Sequence, residues 1–212
     1  MSTITVIGGT GFTGSRIVRE AAARGHQVSA LSRHAPAEPV SGVRYVQGTW
    51  EQAGDLVSGA DVVVVALSPR GNDTAGTVRH AYAEIGSRAA AAGARFIVIG
   101  GFSTLRPAPG APRFTDSGEI PAEFAAEASE MYDVLSDLQD APAGLDWLYV
   151  SPAAEYGVQV PGKRVGSYRV GDDVALFDAN GKSALSGDDF ATAVVDEIET
   201  AKHHRAHISI AY

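Results

Sequence analysis

The chain has no cysteine, only three lysines among 212 residues, and no apolar run that approaches the roughly 18 residues needed to cross a bilayer. Without cysteine there are no disulfides and no thiolate chemistry, which fits a reducing compartment. The N-terminus lacks a basic start followed by an apolar segment, so no secretory signal is expected and the reading is cytoplasmic. Basic charge is scarce as well: 17 Lys and Arg stand against 25 Asp and Glu, a formal net charge of −8. That balance argues against a nucleic-acid partner and against docking on an anionic membrane, and it leaves small ligands open.

What is present is a core-forming composition, 45% hydrophobic and 20% charged, sufficient for one domain spanning residues 1–212. Short apolar runs, "ITVI", "QVSAL", "RYVQ", "DVVVVAL", "RFIVI" and "DWLYV", alternate with amphipathic or alanine-rich stretches in a βα rhythm. The run Val62 to Val65 is β-branched and apolar on both faces, as a central parallel strand requires. Phe124, Ala128, Met131, Leu135 and Leu138 recur at helical spacing and predict a stripe packed on the sheet. Ser186 is a plausible cap for a helix beginning "SGDDF", and a last strand is expected at about 206–211. Two segments break the rhythm: 102–121, with four prolines, and 151–185, which contains the hairpin-like "VGSYRVGDDVALFDANGK". Both follow presumed strand C-termini, where open α/β sheets bind ligands, although ordinary surface loops would look the same.

The most specific local signal is "GGTGFTG". Gly9, Gly11 and Gly14 fit GxGxxG, and Gly8, Gly11 and Gly14 fit the wider GxxGxxG spacing. The cluster follows an N-terminal strand and opens a helix, whose unpaired N–H groups and dipole suit a pyrophosphate. Gly8, Thr10, Gly11, Phe12, Thr13 and Gly14 are therefore candidate dinucleotide contacts. About 20 residues on, where an acid would hold the ribose 2′-hydroxyl of NAD, stand Ser32 and Arg33. An arginine there suits a 2′-phosphate, so NADP(H) is favoured over NAD(H); the alternative is a solvated surface charge. Together these features predict an α/β fold, a Rossmann-type, doubly wound, mostly parallel sheet with a small C-terminal substrate-side region.

The full pattern resembles the atypical short-chain dehydrogenase/reductases, in the NAD(P)H-binding group that includes NmrA-like proteins, biliverdin-IXβ reductase and NADH-flavin reductases. The resemblance rests on "GGTGFTG", "VVVVALS", "GARFIVIGGFSTL", "LDWLYVSPAAEYG", "GKRVGSYRVGDD", "LSGDDFATAVVDEIE" and "HISIAY". It implies further cofactor contacts at Thr49, Trp50, Ala66, Leu67, Ser68 and Gly101, with Pro152 and Ala153 passing under the nicotinamide. It also implies a polar residue at Ser103 beside the nicotinamide, for which a turn hydroxyl is the plain alternative, and substrate contacts at Phe102, Arg106 and Tyr156. Two positions depart from the group: Thr49 replaces a frequent Asp, and Phe102 stands where a small residue is common.

The superfamily's usual catalytic unit, Tyr-x-x-x-Lys, is missing. Four residues after Tyr45, Tyr82, Tyr132, Tyr149, Tyr156 and Tyr168 come Thr49, Gly86, Ser136, Ala153, Val160 and Asp172, and Tyr212 is the last residue. Carbonyl reduction is thus disfavoured, and the reading is hydride transfer from NAD(P)H to a flavin or similar planar acceptor. The alternatives are a non-catalytic redox-sensing regulator of the NmrA-like type and a nucleotide-dependent isomerase. Arg106 and Arg113 could hold an anionic substrate such as a flavin phosphate, or be solvated loop charges. His203, His204 and His207 in "HHRAH" are read as solvent-facing, and no metal site is expected. A monomer or homodimer would serve.

Overall fold

The computed structural model describes residues 1–70, 76–118 and 120–212; Glu119 of the proline-rich segment lies outside the described residues. The strands are β1 (Thr3–Ile7), β2 (Gln27–Ser32), β3 (Arg44–Gln47), β4 (Val62–Val65), β5 (Arg95–Ile99), β6 (Trp147–Ser151), β7 (Arg169–Gly171) and β8 (Ala206–Ala211). The helices are α1 (Phe12–Ala23), α2 (Gly54–Ser58), α3 (Val78–Ala92), α4 (Ala122–Gln139) and α5 (Gly187–Thr200). One sheet results, ordered β3-β2-β1-β4-β5-β6-β8-β7. Its neighbours pair in parallel except β7, which runs antiparallel to β8. Among the described residues, no helix is long and apolar enough to cross a membrane.

All four valines of β4 are buried, as two-sided coverage demands. On one face Ile17 and Val18 of α1 and Phe190 and Val194 of α5 pack over Val6, Val64 and Leu148. On the other, Ile85 of α3 and Met131 and Leu135 of α4 pack over Val63, Phe96 and Tyr149. The chain turns one way from β1 through β2 to β3 and the opposite way from β4 through β5 to β6. The reversal leaves a crevice at the C-terminal ends of β1 and β4, the topological switch point where such sheets bind ligands.

Two expectations are corrected. Phe124 is 43% exposed, while Ala128, Met131, Leu135 and Leu138 are buried. Phe124 lies in the first turn of α4, with the Arg70 guanidinium 5.7 Å from its ring centre. The segment "VGSYRVGDDVALFDANGK" does not pair with itself as a hairpin. Only Arg169–Gly171 is strand, and its partner is β8, because Arg169 sits opposite Ala211 and Gly171 opposite Ser209. The start of α5 follows the sequence, with the Ser186 hydroxyl accepting from the Asp189 N–H.

Candidate functional site

The glycine loop joins β1 to α1, and each glycine has a separate steric task. Gly8 has φ +83°, and a Cβ there would stand 2.5 Å from the Ala66 carbonyl oxygen at the end of β4. A Cβ on Gly9 would stand 2.7 Å from that of Ala30 in β2. One on Gly14 would drive into the Gly8 carbonyl and reach 3.0 Å from Gly9 Cα, so α1 lies against its own loop. Gly11 is different: it is exposed, and its nearest obstacle is the Gly8 oxygen at 3.3 Å. The open side of the loop is therefore at Gly11, where a ligand's phosphates would approach the backbone.

Gly11 begins α1 without a side-chain cap, and the first turn carries no acid. The N–H groups of Phe12 and Thr13 precede the first intrahelical bond, from Ser15 N–H to the Gly11 carbonyl at 2.9 Å, and remain for an anion. Ser32 braces this cradle rather than facing out of it, since its hydroxyl donates to the Leu31 carbonyl at 2.7 Å and accepts from Thr10 N–H at 3.0 Å. Arg33 is exposed at the end of β2, and its carbonyl accepts from the Gln47 amide at 3.1 Å. Thr49 and Trp50 open a 3-10 turn in which the Gln52 side chain accepts from Thr49 N–H, and the Trp50 ring meets His80 edge-on at 5.4 Å. Ala66 and Leu67 are half-buried, and the Ser68 hydroxyl reaches Glu127 at 3.4 Å. Tyr82 of α3, which local pattern did not single out, holds this strand end by donating to the Leu67 carbonyl at 3.0 Å.

Across the crevice, β5 is followed by Gly100, where a Cβ would enter the Tyr149 ring. Next come Gly101 and the 3-10 turn Phe102–Thr104, which leaves Phe102 and Ser103 half-buried. Beneath the turn runs a chain of buried polar groups. The Gly101 carbonyl accepts from Thr104 Oγ1 at 2.8 Å and from Ser151 Oγ at 2.9 Å. Ser151 Oγ meets His207 Nε2 at 2.8 Å, and His207 Nδ1 meets Arg113 Nη1 at 3.3 Å. A guanidinium only donates, so Nδ1 is the acceptor, Nε2 carries the proton, and His207 donates to Ser151. Burial, reinforced by Arg113, pushes the His207 pKa down to about 3 and keeps the ring neutral. Arg113 also donates to the Thr104 carbonyl at 2.6 Å and to Asp173 at 3.0 Å, and Arg106 Nε donates to the same Asp173 oxygen at 2.9 Å. Although partial burial works against it, the two guanidiniums hold the Asp173 carboxyl below its ordinary range.

These bonds revise the readings of Arg106, Arg113 and His207. Arg106 and Arg113 are not isolated loop charges, because both donate to the single carboxylate of Asp173. His207 is not solvent-facing: alternation along β8 turns it onto the Tyr149 face, 8% exposed. His203 bonds Glu197, and His204 bonds Asp146. The Tyr156 hydroxyl pairs with Thr13 Oγ1 at 2.7 Å, and its ring packs on Phe12 and Phe190. Phe102 meets Phe114 and Phe177. Pro152 and Ala153 are buried immediately after β6. Among the described residues, no group of three or more His, Cys, Asp or Glu side chains could hold a metal ion.

A glycine cradle at the switch point of a doubly wound sheet defines a dinucleotide-binding α/β protein. The chain belongs to the NAD(P)H-binding family, whose model matches residues 8–202. It is 32% identical over 209 residues to the uncharacterized protein YwnB of Bacillus subtilis, across 98% of this chain and 97% of that protein. A Streptococcus pneumoniae structure described as a "putative NADH-flavin reductase" superposes with TM-score 0.90 at 28% identity, covering 100% of this chain and 99% of that one. A Bacteroides thetaiotaomicron structure described as a "putative epimerase" has TM-score 0.86 and 32% identity, covering 99% and 96%.

The glycine geometry separates packing from binding. Gly14→Ala is expected to lower the thermal midpoint by several degrees, because overpacking costs about 1–3 kcal/mol. Gly11→Ala is expected to leave the midpoint nearly unchanged and weaken NADPH binding about tenfold or more. Melting curves with a fluorescence titration check both, and parent-like binding by Gly11→Ala would remove Gly11 from the phosphate path.

A neutral buried His207 also makes stability pH-dependent. Below pH about 6.5 the unfolded chain takes up a proton that the folded chain refuses until about pH 3, so this contribution to stability falls with acid. At about 1.4 kcal/mol per pKa unit, roughly 2 kcal/mol is lost at pH 5. Urea midpoints at pH 7.5 and pH 5 should differ less in His207→Gln than in the parent; equal differences would mean that His207 is not held neutral.

Proposed function

We propose that the protein is an NAD(P)H-dependent reductase that passes hydride to a flavin or similar planar conjugated acceptor. The observation that carries this reading is the pairing of the glycine cradle with an aromatic-lined turn, Phe102–Thr104, across the same crevice, where no tyrosine–lysine unit accompanies it. The description of the Streptococcus pneumoniae relative supports it.

Gly8 to Gly14 would hold the pyrophosphate, Arg33 the 2′-phosphate, and Pro152, Ala153 and Gly101 the nicotinamide end. Bound NAD(P)H supplies the hydride. The chain's own phenols are poorly suited to protonating an alkoxide. Burial pushes the pKa values of Tyr149 and Tyr156 well above the usual phenol range, and their hydroxyls are bonded to the Met131 carbonyl and to Thr13. A conjugated acceptor spreads the incoming charge over its rings and takes its proton from solvent, so what remains for the protein is to hold two rings face to face. Ser103, half-buried beside Gly101, is the hydroxyl nearest that task.

The test is steady-state NADPH oxidation over a panel of FMN, riboflavin, a quinone dye and aliphatic ketones. Turnover is expected with the planar acceptors and not with ketones, and Ser103→Ala should lower it about tenfold or less. Tight NADPH binding without turnover on any planar acceptor would favour a redox-sensing regulator. Efficient ketone reduction would mean that a proton donor exists.

Cofactor preference is a separate question. Arg33→Ala should weaken NADPH binding by about 1.5–3 kcal/mol, the size of a charge-assisted contact, and leave NADH nearly untouched. Equal losses for the two would rule Arg33 out as the phosphate ligand.

A further inference from the structure

We propose that Phe102, Phe114 and Phe177 form a stacking shelf for the ring system of the acceptor. The inference takes its acceptor from the reductase reading and adds the residues that hold it. The three rings come from three segments: the turn after β5, the turn Phe114–Asp116, and the loop between β7 and α5. Phe102 and Phe114 stack with centroids 4.9 Å apart and planes at 23°, and Phe177 meets Phe102 edge-on at 6.4 Å and 87°. Phe177 is 40% exposed although it belongs to this cluster. An aromatic group gathered at the sheet's C-terminal edge and left partly open to water offers a face to a flat apolar ligand.

The segments are registered against one another by polar bonds rather than by the apolar core. Arg106 N–H donates to the Asp173 carbonyl at 2.9 Å, Ala175 N–H to the Arg106 carbonyl at 2.8 Å, and Phe114 N–H to the Leu105 carbonyl at 3.0 Å. Asp173 joins the Arg106 and Arg113 guanidiniums under the same rings. Ring stacking on this braced shelf is therefore what holds the acceptor.

The experiment titrates riboflavin and FMN into the protein with NADP+ present, following the quenching of flavin fluorescence, and measures NADPH oxidation on the same preparations. Phe177→Ala should weaken the binding of both at least fivefold, and Phe177→Tyr should restore it to within about twofold, with circular dichroism confirming the fold. Absence of quenching or an unchanged affinity in Phe177→Ala would overturn the shelf. Quenching that depends on Phe177 without NADPH oxidation would sustain the shelf and defeat the reductase reading. Oxidation unaffected by Phe177→Ala would do the reverse.

Discussion

The structure is organised around a side chain that is not there. Because Gly14 lacks a Cβ, α1 can lie against the Gly8 carbonyl, and because Gly8 takes φ +83°, that carbonyl can tuck beneath the helix. Gly9 then seats on Ala30 of β2 and Gly8 on Ala66 of β4, so one loop touches the strands on both sides of β1. Such contacts leave no room for a methyl group and fix the N-terminus of α1 over the switch point. The anion-binding end of the helix thus gets its position from packing, before any ligand contributes.

Two buried ionic clusters lie at opposite ends of the sheet, and they differ in consequence. At the N-terminal end, Arg95 of β5 donates to the Glu197 carbonyl at 2.7 Å and to its carboxylate at 2.8 Å, and His203 bonds the other carboxylate oxygen. That cluster fastens the last turn of α5 to the sheet. At the C-terminal end, Thr104 and Ser151 donate to a single acceptor, the Gly101 carbonyl, with His207 bonded to Ser151 and Arg113 to His207 behind them. Buried charges rarely add net stability, since desolvation offsets most of the attraction. A chain whose every member is satisfied does impose one geometry, and here the geometry is that of the peptide leading into Phe102 and Ser103.

Features carried by local sequence were legible before the structure. The βα rhythm, the buried valines of β4, the Ser186 cap and the glycine cradle each depend on residues within a turn or two of one another. The polar network beneath the turn Phe102–Thr104 was not legible, because its bonds join residues 94, 60 and 56 positions apart: Arg113 to His207, Arg113 to Asp173, and Ser151 to His207. Proline and arginine in a loop look solvated until the partner carboxylate is located. Alternation in "AHISIA" could have placed His207 on a face opposite Ile208 and Ile210, yet nothing local says that a loop covers that face. Phe124 failed for a related reason: helical period gives a direction, and only tertiary geometry tells whether sheet still lies beneath the first turn. Strand β7, three residues long, is too short for any periodic signal.

The distribution of hydroxyls narrows the chemistry that the crevice can support. Tyr82, Tyr149 and Tyr156 all lie close to it, and each phenol is consumed by the scaffold, on the Leu67 carbonyl, the Met131 carbonyl and Thr13 respectively. Ser32 and Ser151 are likewise spent on backbone. A reduction that drew its proton from one of these groups would have to break a buried bond first, leaving its partner unsatisfied at a cost of about 1–3 kcal/mol. An acceptor that holds its own negative charge by delocalisation avoids that step. On the reductase reading, a conjugated acceptor would manage its own charge, and the interactions left for the protein to provide would be planarity, contact area and exclusion of water.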